Sequence, residues 1–228
     1  MLIHPAEARR QFAEYAAGEI TNETLARGAL LIALEDNPRL DVEGYLDELD
    51  ALAARAEARC GEGEPPVFRL GHLHAEMFDV DGYRGDTTSY YDPRNAYLNE
   101  VIDRKQGIPI TLSIVFLHVA AKMGLRAHGV GLPGHYVVKV QFELNELFVD
   151  PFHGGESLTM QEIAVLVRQT SGGAVQLESS HLRAWSGRET LARVLANLQN
   201  MWSGAGDVRR ARAAQERIDI LTTAALHA

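Results

Sequence analysis

Ile108 to Leu125 is the longest apolar stretch of the chain, nearly long enough to cross a membrane. It opens on Pro109 and carries Ser113, His118 and Lys122, polar groups that a lipid-facing helix would bury at a cost. The reading that remains is a helix buried in a protein core, with Ile110, Ile114, Leu117 and Ala121 on one side and Gly124 as its stop. Directly afterwards the hydrophobic period drops to two. Val130 and Leu132 form one run. Tyr136, Val138 and Val140, alternating with His135, Lys139 and Gln141, form a second, and Leu147 to Asp150 a third. These read as three successive strands turned by Pro133-Gly134 and by Glu143 to Glu146. A buried helix followed by antiparallel strands is an α+β arrangement.

Helical patterns flank this centre. Thr21 or Asn22 caps a helix bearing Leu25, Leu30, Leu31 and Leu34, stopped by Asn37-Pro38. Asp41 starts a second helix, apolar at Val42, Tyr45, Leu46, Leu49, Leu52, Ala53 and Ala56 and charged on its other face. Gly61 to Pro66 is a turn, and a short helix with Leu70, Leu73, Met77 and Phe78 follows. Asp92-Pro93 looks like the start of another helix, whose stripe of Tyr97, Leu98, Val101 and Ile102 runs to Gly107. Toward the C-terminus, Thr159 to Glu162 and Ser186 to Glu189 are capping boxes. Gly204 to Asp207 then turns a final helical hairpin, whose arginines 209, 210, 212 and 217 read as a solvated face. The chain thus divides into a helical region over 1–90, a core over 91–157 and a helical region over 158–228, expected to form one unit.

The 228 residues, 46% of them hydrophobic, can bury a core without staples. A single cysteine, Cys60, excludes an internal disulfide and every multi-cysteine metal cage. The formal charge of −9 argues against nucleic acid as a partner. Met1 to Glu7 lacks a basic region followed by an apolar one, so the expectation is a cytoplasmic protein with no membrane partner.

The polar residues that could carry chemistry are Asn95, Asn99, Thr111, Ser113, His128, His135, Asp150 and His153. Asn95 and Asn99 are spaced i, i+4 on the predicted helix. Thr111 and Ser113 fall in the first turn of the buried helix, whose free N–H groups favour an oxyanion or a lowered pKa. A histidine held by an aspartate near such a helix end is a hydrolase arrangement, and His135 with Asp150 fits it by type. Core or turn histidines and a strand-end aspartate fit as well. Cys60 lies far along the chain from the helix, leaving only the hydroxyls of Thr111 and Ser113 as nucleophiles. A simple Glu143–Glu146 hairpin would set Asp150 opposite Lys139, so the pair needs a bulge or a turn nearer Phe142-Glu143. A metal held by His128, His135, Asp150 and His153 is conceivable by residue type, although no helical ligand spacing links them.

Three motifs carry a resemblance to a known family. They are Tyr91 to Ser113 (YDPRNAYLNEVIDRKQGIPITLS), Gly129 to Tyr136 (GVGLPGHY), and Asp150-Pro151-Phe152 with Gly154-Gly155. Together they resemble the SirB-type branch of the transglutaminase-like superfamily, a branch linked by name to invasion-gene regulation. The same module accompanies an F-box in some animal proteins, and the C-terminal hairpin is similar to a tetratricopeptide-type tail. The resemblance implies a papain-like α+β core. It also implies that His135 and Asp150 take the histidine and aspartate roles, with the nucleophilic cysteine falling at Pro109 or Ile110, neither of which can serve. The expectation is therefore a pseudoenzyme without cofactor or metal, binding a protein or peptide through a cleft of Tyr91, Asn95, Asn99, Arg104, Thr111, Ser113 and His135. The alternatives are an amide or ester hydrolase, using Thr111, Ser113 or a water activated by His135, and a metal-dependent hydrolase.

Overall fold

Helix α6 (Pro109–Lys122) buries every side chain from Pro109 to Ala120, the pattern of a helix apolar all round and enclosed by its own protein. The computed structural model containing it describes residues 2–225; Met1 and residues 226–228 of the C-terminal region lie outside the described residues. Helices α2 (Asn22–Leu34) and α3 (Val42–Glu57) pack against α6, as do strands β3 (Arg126–Leu132) and β4 (His135–Gln141). Before α2 comes α1 (Pro5–Ala16), and after α3 comes α4 (Pro66–His74), which widens into a π-helical turn over Ala75–Val80. Asp41 caps α3 by accepting from the Gly44 amide at 3.1 Å.

Strands β3, β4, β5 (Glu146–Asp150) and β6 (Glu156–Leu158) form one antiparallel sheet in that order. On one face, Tyr136, Val138 and Val140 join the main core, which draws residues from Ala8 through Leu221. On the other, Val130, Leu132, Val137 and Phe148 meet Ile163 and Val167 of α7 (Met160–Thr170) in a smaller cluster. Three strands follow the sequence reading. The fourth, Glu156-Ser157-Leu158, is too short and polar to show alternation.

The segment from Asp92 to Gly107 departs from the single predicted helix. Asp92 caps only a 3-10 turn, Pro93–Asn95, by accepting from the Arg94 amide at 2.9 Å. The Asn95 carbonyl is then taken by the Thr111 hydroxyl at 2.8 Å and the Ile108 amide at 3.3 Å, so it cannot serve a continuing helix. Tyr97 is extended, and α5 (Leu98–Arg104) starts afresh and ends at Lys105 in the left-handed region, φ 55°. Gly107 lies in the two-residue strand β2 (Gln106–Gly107), paired in parallel with β1 (Arg84–Gly85). Asn95 and Asn99 therefore do not share a helix face.

At the C-terminus α8 (Gly187–Gly204) and α9 (Val208–Ala225) form the expected hairpin, and both predicted capping boxes are made. The arginine face is not wholly solvated. Arg217 is 1% exposed and donates to the Ile32 carbonyl at 2.6 Å, which fixes α9 to the end of α2. Arg210 stacks on Trp202, 4.5 Å from the ring centre. Among the described residues no helix is long and apolar enough to cross a membrane.

Candidate functional site

His135 begins β4 directly after Pro133-Gly134. Gly134 has φ 75°, and a Cβ there would lie 2.8 Å from Thr170, so the turn that presents His135 requires glycine on both counts. At the other end of β4 the chain reverses over Phe142–Asn145, closed by the Phe142 amide on the Asn145 carbonyl at 2.8 Å. The turn is the earlier one the pairing demanded. Gln141 faces Glu146 and Val138 faces Val149, so the same register continued sets Asp150 opposite Val137. It then lies on the same sheet face as His135, one diagonal step away.

The side chains meet there. His135 Nε2 lies 2.8 Å from Asp150 Oδ2, and His153 Nδ1 reaches the same oxygen, also at 2.8 Å. Asp150 Oδ1 accepts from the Phe152 amide at 3.0 Å. An ionised carboxylate only accepts, so both imidazole nitrogens donate, and His135 Nδ1 is left as the other ring position. Asp150 is 0% exposed. Burial pushes its pKa up, but the hydrogen bonds from His135 and His153 outweigh this and hold the carboxyl well below the usual carboxylate range. The Asp150 bond in turn raises His153 above the ordinary imidazole value, against partial burial. The His135 and His153 rings stack with centroids 5.7 Å apart, and Phe152 stands edge-on to His135 at 5.9 Å. Beside Asp150 and His153 opens a groove of about 570 Å³, walled by Glu156 and Leu158 of β6 and by Glu162 and Leu166 of α7.

The hydroxyls do not complete a catalytic triad. Thr111 Oγ1 donates to the Asn95 carbonyl and lies 3.1 Å from the Ile108 carbonyl, while Ser113 is 0% exposed and its hydroxyl has no partner. Cys60 follows the end of α3, its Sγ 3.7 Å from the Ala56 carbonyl in the last turn of that helix. Burial and the nearby Glu57 push its thiol pKa up, away from a reactive thiolate.

The seven residues expected to line one cleft do not do so. Asn95, Thr111 and Ser113 are sealed in the interior. Asn95 donates to Asp86 at 3.1 Å and accepts from Arg104 at 3.1 Å, while Asp86 also takes the Thr88 and Ser89 amides. This buried polar knot braces the loop before α5, and Asp86, its hub, carried no motif signal in the sequence. Asn99 faces a different pocket, of about 350 Å³, lined by Tyr97, Trp202 and Arg210. Tyr91 is 79% exposed and reaches the site only through Tyr90, which stands edge-on to Phe152. His128 lies in β3 opposite Lys139, its ring 3.3 Å from Gln141, apart from the cluster. His135, Asp150 and His153 are the members of the conceived metal set that come together, their ligand atoms within 4.8 Å of one another. The sequence offered the Asp150–His153 spacing of three, but that acquires meaning only once Pro151 starts a 3-10 turn there.

Comparisons with known proteins place the chain in a family. A profile of the transglutaminase-like superfamily matches residues 43–196. The chain is 32% identical over 193 residues to a UPF0162 protein of Xylella fastidiosa, covering 83% of this chain and 69% of that one. With a UPF0162 protein of Vibrio cholerae the identity is 25%, over 77% and 65% of the two chains. With human F-box only protein 21 it is 23%, over 64% and 28%. No solved structure matches the chain. The superfamily match spans well over half of the chain and contains the central helix, the sheet and the His135–Asp150 pair, so the chain belongs to the transglutaminase-like superfamily, among its UPF0162 members.

Proposed function

We propose that this chain is a transglutaminase-like protein without acyl-transfer chemistry, which acts in the cytoplasm by binding a protein or peptide partner. The observation that carries the reading is the absence, among the described residues, of any thiol or hydroxyl hydrogen-bonded to His135. Acyl transfer through a covalent intermediate needs such an atom against the base. Pro109 and Ile110, at the head of α6, are buried apolar residues. The binding surface is the corner of His135, Asp150 and His153 with its groove. The α8–α9 hairpin, with its likeness to a tetratricopeptide unit, is a second surface.

Two measurements test this. Ester and γ-glutamyl amide substrates should turn over equally slowly with the wild-type chain and with His135→Ala; turnover lost in the variant overturns the non-catalytic reading. Partners captured by crosslinking should differ between the wild type and a variant in His135 and Asn99. Identical partners would remove both pockets as the binding surface.

A further inference from the structure

We propose that His135, Asp150 and His153 form a binding site for a divalent transition metal of the zinc type. The proposal rests on the reading of this corner as a place that binds rather than one that transfers acyl groups. Two imidazole nitrogens, His135 Nε2 and His153 Nδ1, converge on one carboxylate oxygen at 2.8 Å each. All three atoms fall within 4.8 Å of one another. Two imidazoles and a carboxylate with a side left open make up a common donor set for zinc and for other first-row divalent ions.

The surroundings fit a metal better than a plain hydrogen-bonded triad requires. The second carboxylate oxygen is fixed by the Phe152 amide at 3.0 Å, so Asp150 is oriented by an outer partner, as ligating carboxylates are. His135 is 6% exposed and held edge-on by Phe152, a rigid ligand. His153 sits on a short 3-10 turn with its side chain 48% exposed, and can give way. At bonds of about 2.0–2.1 Å, tetrahedral ligands stand roughly 3.3 Å apart, so each N–O pair must open by about half an ångström. Rotation of His153 supplies much of that. Each ring then moves its proton to the other nitrogen, Nδ1 of His135 and Nε2 of His153, and no bond to carbon changes. The open side meets the groove, where Glu156 is the cross-strand neighbour of Asp150 and adds negative charge.

A second cluster, Cys60, Glu64 and His72, also brings three donor atoms within 4.8 Å of one another. Burial and Glu57 push its thiol pKa up, which disfavours the thiolate that binds metal, so it serves as the internal comparison. The test uses the full chain after chelator treatment, titrated with Zn2+ by calorimetry and with Co2+ by visible absorption. The expected result is one equivalent of Zn2+ at a Kd of about 1 μM or tighter and ligand-field bands of four- or five-coordinate Co2+. His153→Gln keeps a hydrogen-bond donor toward Asp150 but is a poor ligand; it should weaken Zn2+ binding at least tenfold while leaving the melting temperature near wild type. His153→Cys should restore it, and Cys60→Ser should leave it unchanged. Zn2+ binding no tighter in the wild type than in His153→Gln, or lost instead in Cys60→Ser, overturns the proposal. That failure leaves the turnover comparison with His135→Ala untouched, so the two readings fall separately.

Discussion

Asp150→Asn is the substitution that bears hardest on the site. The carboxylate is fully buried and accepts three hydrogen bonds, two of them from imidazoles on one oxygen. Asparagine keeps the shape and can keep the bond from the Phe152 amide through its carbonyl oxygen. Its NH2 group, however, then meets two ring nitrogens that donate, and both rings must change tautomer or turn away. Removing one partner of a buried charged pair costs about 3–5 kcal/mol. His153 is half exposed and can turn to water, which points to the lower end, about 3 kcal/mol. At about 2–4 °C per kcal/mol for a chain of this size, the melting temperature falls by roughly 6–12 °C. The pH dependence carries a second signature. The folded-state pKa of Asp150 lies below its unfolded value, so its contribution is complete above about 3.9 and is lost as pH falls below that. The folded-state pKa of His153 is raised, so its contribution is complete below about 6.5 and is lost as pH rises through the folded value. Circular-dichroism melts of the wild type and the variant should therefore differ most between about pH 4 and pH 6.5. A difference below about 1 kcal/mol at pH 5, or one constant between about pH 3 and pH 8, would refute the assignment of a buried, doubly bonded carboxylate.

Ser113→Ala removes a buried hydroxyl without a partner, so stability should stay level or rise by up to about 1 kcal/mol in urea melts; a clear loss would mean the hydroxyl is bonded. Cys60→Ser should leave unfolding within about 0.5 kcal/mol, and alkylation of the wild-type thiol near neutral pH should be slow, because burial and Glu57 raise its pKa. Gly131→Ala sets a methyl 2.1 Å from the Trp185 ring. It should cost about 1–3 kcal/mol and alter the near-ultraviolet signal of that tryptophan. Arg217→Met strips the Ile32 carbonyl of its donor, while Glu35 and Asp36 keep their closer partners, Arg9 and Arg210. A loss of about 1–3 kcal/mol is expected from the unpaired carbonyl, read from the urea midpoint; an unchanged midpoint would show that α9 docks without this contact.

The central helix and three strands were legible because burial dictates sequence there. A helix enclosed on all sides must be apolar throughout, and strands with core on one face must alternate. Caps were legible for a similar reason, since Thr159 and Ser186 satisfy N–H groups only a few residues away. What failed depends on partners distant in sequence. Nothing near Asn95 announces that Thr111 and Ile108 will take its carbonyl and end the helix. Arginine composition cannot distinguish a solvated face from one residue inserted under α2, which is how Arg217 was misread. Within the site, His135 and Asp150 were legible as types, whereas their contact turned on a reversal one residue earlier than the acidic loop suggested, which shifts the pairing by two. The same limit explains the dispersed cleft. Asn95, Thr111 and Ser113 are polar residues of the interior, and sequence alone cannot separate a polar group turned inward from one lining a pocket.

A histidine–aspartate pair with no thiol or hydroxyl bonded to it among the described residues invites the inference that some chemistry persists. The contacts of Asp150 give the pair a different reason to exist. One oxygen holds the 3-10 turn through the Phe152 amide, and the other ties that turn, through His153, to the start of β4, through His135. The turn in turn sits against β1, where Gly85 would place a Cβ 2.5 Å from the Phe152 ring and so must be glycine. Three segments distant in sequence thus depend on one buried carboxylate, and that dependence requires no thiol. The substitution of either histidine or of Asp150 should therefore be judged first by its effect on folding, and any loss of partner or metal binding should be credited to the site only when the variant melts like the wild type.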